Sequence, residues 1–150
     1  TTFTIALICG ELWQTVVFMF AYIPLRIYAG GYHAKTPLRC YIYSNALIFA
    51  VLLIIKFLPL GNFICGSLSL ISGAIIFFLS PIEAANKPLD DKEKTVYRLR
   101  VRIILAILLM LQIMFSLLRC NKIVMCISLA LLMVAALMVV GMIESRNNRL

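Results

Sequence analysis

The chain has 150 residues, of which 63% are hydrophobic and 13% are charged, and its formal net charge is +8. Soluble domains are about 45–50% apolar and about 25% charged, so this composition excludes an ordinary soluble domain, a disordered chain and a water-soluble nucleic-acid binder. Five cysteines are too few and too scattered for a secreted disulfide scaffold, and one histidine excludes a metal site built on two imidazoles. We therefore expect a small integral membrane protein without metal or cofactor.

The first predicted feature in the chain is a helix break near the N-terminus. Residues 3–23 could form one span, but that arrangement puts Glu11 near mid-membrane, where a lone charge is costly. A break at Gly10 instead ends an earlier helix over residues 1–9 and begins a short span over residues 12–25. Glu11 then lies in the first turn, where the helix dipole favours an anion. We predict the break, and we expect the earlier helix to be truncated in this chain.

Four long apolar stretches follow, and each has roughly the length of a membrane span. They cover residues 41–58, 62–80, 101–118 and 123–143. A helix needs about 20 apolar residues to cross a hydrocarbon core of about 30 Å, and helices satisfy their own backbone hydrogen bonds in lipid. The sequence therefore predicts one all-α domain over residues 1–150, a polytopic bundle of about six transmembrane segments. The charged run at 87–100 is most simply a solvated loop with a cytoplasmic helix entry.

The placement of Lys and Arg predicts the orientation of these spans. The loop at 26–40, the connection at 81–102 and the C-terminal tail carry eleven of the 14 basic residues. Alternating spans put these three segments on one side of the membrane. The remaining basic residues lie on the other side, and they are Lys56, Arg119 and Lys122. Because cytoplasmic loops are enriched in Lys and Arg, the three basic segments are predicted to face the cytoplasm.

The segment 26–40 contains the residue types that catalysis requires. Its glycine pair at 30–31 allows backbone conformations that are closed to other residues and interrupts the helical pattern. Thr36 and Pro37 are typical of a helix start, with Thr36 as the N-cap and Pro37 at the first helical position. We predict that a helix begins at Pro37 and that Cys40 lies in about its first turn.

Cys40 and His33 are the candidate catalytic pair. A helix N-terminus and the cations at Lys35 and Arg39 favour the thiolate of Cys40 over its thiol. His33, the single histidine of the chain, can accept the thiol proton and return it to a leaving amine. The alternative is structural, because a lone interfacial histidine is more often structural and a cysteine in a membrane helix usually fills apolar space. The spacing alone leaves both interpretations open.

The residues around this pair resemble the signature of a known family. Arg26, the run AGGYHA at 29–34 and the triplet LRC at 38–40 resemble the accessory gene regulator B family, membrane cysteine endopeptidases of bacterial quorum sensing. Downstream, PIEAANKPL at 81–89 resembles the proline-containing cytoplasmic connection of that family. The resemblance covers most of the chain, and it implies that an N-terminal segment of the family fold is absent from this chain.

The resemblance implies a protease in the bacterial cell membrane with its active site facing the cytoplasm. Such an enzyme removes the acidic C-terminal tail of a precursor of the autoinducing peptide. Cys40 would attack the scissile carbonyl to form an acyl thioester, with His33 as the base. A cysteine or serine of the precursor would then displace Cys40 and close a thiolactone or lactone ring.

Several further residues are candidates for substrate binding or support of the catalytic pair. Glu83 and Asn86 lie on the same predicted side of the membrane as His33, where either can orient the imidazole ring. Basic residues suit an acidic precursor tail. The candidates are Arg26, Gly30, Gly31, Lys35, Arg39, Glu83 and Asn86.

The alternative function is a non-enzymatic membrane transporter or export scaffold for a small peptide. No predicted span carries the paired charges or broken helices that are typical of transport sites, which favours the enzyme. The expected partners are the precursor peptide and the lipid bilayer, with no nucleic acid. A homodimer is a further expectation, to which the small-residue spacing of Gly66, Ser69 and Gly73 points.

Overall fold

In the computed structural model, the described part of the chain is all-helical, without strands. The described residues are 12–29, 37–58, 60–80 and 90–147, together with Thr4, Leu7, Ile8 and Gly10. The helices are α1 (Leu12–Ala29), α2 (Pro37–Phe57), α3 (Asn62–Leu79), α4 (Asp91–Leu117) and α5 (Asn121–Asn147). The predicted fold class, an all-α helical membrane bundle, is confirmed.

The predicted helix break before α1 is also confirmed. Gly10 has a φ of +72° and donates its backbone N–H to the Leu7 carbonyl at 3.2 Å, so the chain turns there and α1 begins at Leu12. The predicted end of this span at residue 25 was too early. The helix runs on through Pro24 to Ala29, because a proline inside a bundle helix removes one hydrogen bond while neighbouring helices supply packing.

The predicted start of α2 at Pro37 is confirmed, and this helix packs on one narrow stripe. Its buried residues fall at 48, 51, 52 and 55, a spacing that places them on a single helix face. All of them lie in the second half of the helix. Among the residues at 38, 39 and 41–47, none is buried. The first half of α2, which contains Cys40, therefore projects beyond the packed core.

Helix α4 begins earlier than the sequence suggested. The charged run at 87–100 was predicted to be a solvated loop with a helix entry, and within it the chain is helical from Asp91 onward, ten residues before the apolar run at 101–118. The backbone N–H of Asp90 donates to Glu93 Oε2 at 3.4 Å, which satisfies a donor at the start of the helix. The first ten residues of α4 are largely exposed, so the charges were compatible with a solvated helix extension.

Helix α5 forms the centre of the bundle, since each of the other helices packs against it. Every residue from Val124 to Leu131 is buried, which means that this segment is covered on all sides. Helices α3 and α4 bury only one face each and leave the remaining apolar surface exposed. In a membrane that outer surface faces the lipid.

Three of the five helices, α3 to α5, are long and apolar enough to cross a membrane. The apolar segments of α1 and α2 are Leu12–Tyr28 and Tyr41–Phe57, and both are shorter. A 17-residue helix spans about 26 Å, slightly less than a typical hydrocarbon core. The sixth, truncated segment was predicted over residues 1–9, of which Thr4, Leu7 and Ile8 are described and helical.

The bundle has two chemically different ends. At the basic end, α1, α3 and α5 finish and α2 and α4 begin. Contacts between helices define this end: Arg100 of α4 reaches Tyr28 of α1, and Arg102 of α4 lies 4.3 Å from the ring centroid of Phe77 of α3. The opposite end carries the α2–α3 and α4–α5 connections. The described residues of the three segments that were predicted to share one side of the membrane lie at the basic end.

Candidate functional site at the basic end

The structure describes part of the candidate site that the sequence identified. Arg26 and Arg39 are described, and Cys40 is described in its helical position only. Several candidates lie outside the described residues, and their roles stay predictions: Gly30, Gly31, His33, Lys35, Glu83 and Asn86.

Cys40 is the fourth residue of α2 and therefore lies in its first turn, as predicted. The backbone N–H groups of a first helical turn have no partner within the helix, so they can stabilise an anion such as a thiolate or an oxyanion. Leu38 and Arg39 beside it are exposed, as are Tyr41, Ile42 and Tyr43 on the following turn. The described residues on both sides of Cys40 are therefore accessible from outside the bundle.

Asn45 lies one further turn along α2 and makes a local hydrogen bond. Its Nδ2 donates to the Tyr41 carbonyl at 2.9 Å. The amide side chain therefore caps a carbonyl of its own helix near Cys40. This contact anchors Asn45 on α2 rather than assigning it a part in catalysis.

The end of α1 is held to α4 by a cluster of aromatic and cationic side chains, which we call the tyrosine clamp: Tyr28, Tyr97 and Arg100. Arg100 Nη1 donates to the Tyr28 hydroxyl oxygen at 3.0 Å, and the guanidinium lies 5.1 Å from the Tyr28 ring centroid. The Tyr97 ring meets the Tyr28 ring edge to face at 5.6 Å. The clamp fixes α1 two residues before Gly30, where the segment that contains His33 begins.

Sequence reasoning did not identify the clamp, although part of it was readable. Tyr97 and Arg100 are three residues apart, so on a helix they share a face. The charged run was interpreted as a loop with a helix entry whose first residue was not given, so the shared helix face of Tyr97 and Arg100 was not used as an argument. The partner on α1 is 72 residues away in sequence, and no local pattern identifies it.

The basic end has a clear excess of positive charge among its described residues. The cations there are Arg26, Arg39, Lys92, Lys94, Arg98, Arg100, Arg102 and Arg146. Four acidic residues accompany them, namely Asp90, Asp91, Glu93 and Glu144. The ion pair between Lys94 and Asp91 is long, at 4.0 Å, and largely solvent-exposed. Such a surface attracts an acidic peptide, most strongly at low ionic strength.

Two of the residues that pointed to a homodimer are used inside the bundle. Ser69 of α3 is buried and donates to Ser128 of α5 at 2.9 Å. Gly73 is also buried and faces Leu105 of α4. Because these small residues pack helices of one chain against each other, their spacing does not indicate a dimer interface.

Comparison with known proteins identifies the family of this chain. A family model described as Accessory gene regulator B matches residues 1–140. The chain belongs to the accessory gene regulator B family. The match runs from the N-terminus through most of α5 and includes the whole of the 26–40 segment. No curated protein and no solved structure matches the chain.

Membership of the accessory gene regulator B family confirms the resemblance seen in the sequence. It associates the chain with processing of the autoinducing peptide of quorum sensing. The three long apolar helices agree with a membrane location for that processing. The catalytic and supporting roles of individual residues remain predictions.

Proposed function

We propose that the chain is a membrane cysteine endopeptidase that cleaves the C-terminal tail from an autoinducing-peptide precursor at the cytoplasmic surface of a bacterial cell membrane. The observation that carries the proposal is the position of Cys40 in the first turn of α2, between the exposed residues Arg39 and Tyr41, in a chain of the accessory gene regulator B family. The first turn of a helix has free backbone N–H groups, and the described residues of the basic end carry an excess of cations. Both favour a thiolate and an acidic substrate.

The proposed first step is cleavage of the precursor backbone. Cys40 Sγ, having given its proton to His33, attacks the scissile carbonyl carbon and forms a tetrahedral oxyanion. Backbone N–H groups at the start of α2 stabilise that oxyanion. When the C–N bond breaks, His33 returns the proton to the leaving amine. The products are an acyl thioester on Cys40 and the released tail.

The proposed second step closes the ring by exchanging the thioester on Cys40 for a thioester within the peptide. A cysteine thiol of the precursor attacks the same carbonyl carbon, and the bond to Cys40 Sγ breaks. The proton of the attacking thiol passes through His33 to the Cys40 thiolate. One thioester replaces another, so the step is close to thermoneutral and reversible. A serine in place of that cysteine gives a lactone.

The supporting residues have distinct proposed parts in this reaction. Arg26, Lys35 and Arg39 attract and hold the acidic tail, and Gly30 and Gly31 let the backbone fold His33 back toward Cys40. Glu83 and Asn86 are proposed to orient the His33 ring from the 81–89 connection. The tyrosine clamp holds the end of α1 from which this folded segment departs, so its members are positioning residues.

The deciding experiment uses the full chain in membranes with its matched precursor. Cys40→Ala is expected to abolish release of the C-terminal tail, and Cys120→Ala is the matched control because that cysteine lies at the opposite end. Wild type should accumulate a precursor adduct that hydroxylamine removes, and Cys40→Ala should not. Tail release by the Cys40→Ala variant would overturn the protease assignment.

A second experiment tests the electrostatic part of the proposal. A double variant with Lys35→Gln and Arg39→Gln lacks both cations. It should process the precursor more slowly than wild type, and the difference should be larger at low salt, because high ionic strength already screens the attraction between these cations and the acidic tail. Lys56→Gln at the opposite end is the control. An equal loss at every salt concentration contradicts a role in attracting the tail.

A further inference from the structure

We propose that Arg98 and Arg102 of α4 bind the phosphate group of an anionic phospholipid at the basic end of the bundle. The two residues are four positions apart, so they share one face of the helix. Both side chains are exposed, and neither forms an ion pair with any residue that the structure describes. Two like charges at this spacing destabilise a helix, and an anion between them removes that repulsion. We call the two residues the arginine pair.

Arg102 lies inside the apolar run at 101–118, at the edge of the membrane span. Tyr97, earlier on the same helix, meets Tyr28 of α1, and tyrosines are enriched at the membrane interface. Arg98 follows Tyr97 and therefore lies at the level of the lipid headgroups, and Arg102 lies about 6 Å deeper along the helix axis. An isolated charge at that depth is costly, so it requires a partner.

The described carboxylates of α4 do not supply this partner. Among them, Asp91 is the one that shares a helix face with the arginine pair, and it pairs with Lys94 at 4.0 Å. It lies two turns before Arg98, about 10 Å away along the helix axis. The negative charge that the arginine pair requires is therefore expected from a ligand.

Phe77 of α3 holds the Arg102 guanidinium in a defined place. The guanidinium carbon lies 4.3 Å from the centroid of the Phe77 ring, close to the end of α3. A guanidinium presents its N–H donors in one plane, and two of them match two oxygens of a phosphate. No described residue accepts a hydrogen bond from Arg102, so these donors are available to an oxyanion. Because the ring restrains the side chain, less conformational entropy is lost when the anion binds.

The surroundings of the arginine pair favour a lipid as the occupant. Leu99 and Ile103 on α4 are 60% and 51% exposed, and Phe78 on α3 is 79% exposed. These apolar side chains belong to the outer surface of the bundle, along which acyl chains continue toward the middle of the bilayer. The precursor is proposed to bind at α2, which packs chiefly on α5, whereas the contact of Arg102 with Phe77 joins α3 and α4. Two cations that no described carboxylate neutralises select a headgroup with a net negative charge.

The test places a fluorescent reporter beside the arginine pair. Trp13→Phe removes the single tryptophan of the chain, and Phe78→Trp introduces one next to Phe77; we call this double variant the reporter chain. The full reporter chain is placed in nanodiscs with equal amounts of phosphatidylglycerol and phosphatidylcholine, and one of the two lipids carries bromine on its acyl chains. Bromine quenches a nearby tryptophan. Quenching should reveal a local preference for phosphatidylglycerol of roughly fivefold or more.

Two variants of the reporter chain test the arginine pair, and a third is the matched control. Arg102→Gln removes one cation, which near an anionic surface is worth about a fivefold change in binding, so the preference should fall to about twofold or less. Phe77→Leu keeps both charges but removes the ring that restrains Arg102, and it should give an intermediate preference. Lys92→Gln removes an exposed cation from another face of the same helix and should leave the preference unchanged. Unchanged quenching by brominated phosphatidylcholine verifies that each variant keeps its lipid-facing surface.

Several outcomes would overturn the proposal. These are equal quenching of the reporter chain by the two lipids, a preference that Arg102→Gln and Phe77→Leu leave intact, and an equally large loss in Lys92→Gln, which would show a general effect of net charge. A further one is release of the brominated phosphatidylglycerol by an equimolar amount of the precursor, which would make the arginine pair a peptide site. None of these results bears on cleavage by Cys40, so this proposal and the protease assignment stand or fall separately.

Discussion

The tyrosine clamp should make a measurable contribution to bundle stability. Tyr28→Phe keeps the ring and removes only the hydroxyl that accepts from Arg100 at 3.0 Å. A net hydrogen bond contributes about 0.5–1.5 kcal/mol, and because Arg100 is exposed we expect the lower half of that range. Arg100→Gln also loses the cation–π contact at 5.1 Å, worth about 0.5–1 kcal/mol at an exposed site. The two losses together predict about 1–2 kcal/mol for Arg100→Gln.

A double-mutant cycle of Tyr28→Phe and Arg100→Gln isolates the hydrogen bond. The free energy of unfolding is measured by detergent titration in mixed micelles, and the coupling energy is expected to be about 0.5–1 kcal/mol. Arg98→Gln, on another face of α4, is the control and should cost less than about 0.5 kcal/mol. A coupling energy below about 0.3 kcal/mol, or an equal cost for Arg98→Gln, refutes the clamp.

Three further predictions concern the packing of the helices, with unfolding in neutral micelles as the common measurement. Arg119 has a φ of 60°, which strains a residue that has a Cβ, so Arg119→Gly should raise the free energy of unfolding by about 0.5–1 kcal/mol. A lower free energy of unfolding in this variant would show that contacts of the Arg119 side chain stabilise the fold by more than the backbone strain costs. A Cβ at Gly73 would lie 3.7 Å from Leu105 Cδ1, which is an ordinary van der Waals contact. Gly73→Ala should therefore leave the free energy of unfolding unchanged or raise it by up to about 1 kcal/mol. Marked destabilisation would show that α3 and α4 pack more closely at Gly73 than this distance indicates. Ile76 is 0% exposed and Phe78 is 79% exposed, so Ile76→Ala should cost about 2–5 kcal/mol and Phe78→Ala much less, and equal costs would contradict the assigned faces.

The features that could be predicted from sequence are those that rest on local stereochemistry. Gly10 ends a helix because glycine readily adopts a positive φ, and Pro37 begins one because its missing N–H costs nothing at the first helical position. The apolar runs predicted the presence of α2 to α5 by length alone. The position of Cys40 in the first turn of α2 followed from Pro37, three residues earlier.

The features that escaped prediction depend on contacts between distant segments. The apolar runs of α3, α4 and α5 have hydrophobic residues around most of their circumference, so composition does not show which face packs inward or which helix is central. The polar residues inside these runs were the available signal. Ser69, Gln112 and Ser128 meet at one place in the core, because a polar group in a membrane helix seeks a partner on another helix.

The residue at which α4 begins within the charged run was not predicted, for a different reason. The sequence Asp90-Asp91-Lys92-Glu93 has the spacing of a capping box, an acidic cap followed three residues later by Glu. The dense charges were taken as a sign of a loop with only a helix entry, although exposed helices tolerate charge well. The helical turns before Val101 extend the bundle and supply the two α4 members of the tyrosine clamp.

The central position of α5 sets the order in which the bundle can assemble. This helix is the last of the five to leave the ribosome, yet it supplies the surface on which the other helices pack. Before it is inserted, α1 and α3 can still contact α4, but α2 has no principal packing partner. The helix that contains Cys40 is therefore docked only after α5 has been synthesised. A nascent chain that ends before α5 would contain the cysteine without the helix on which α2 packs.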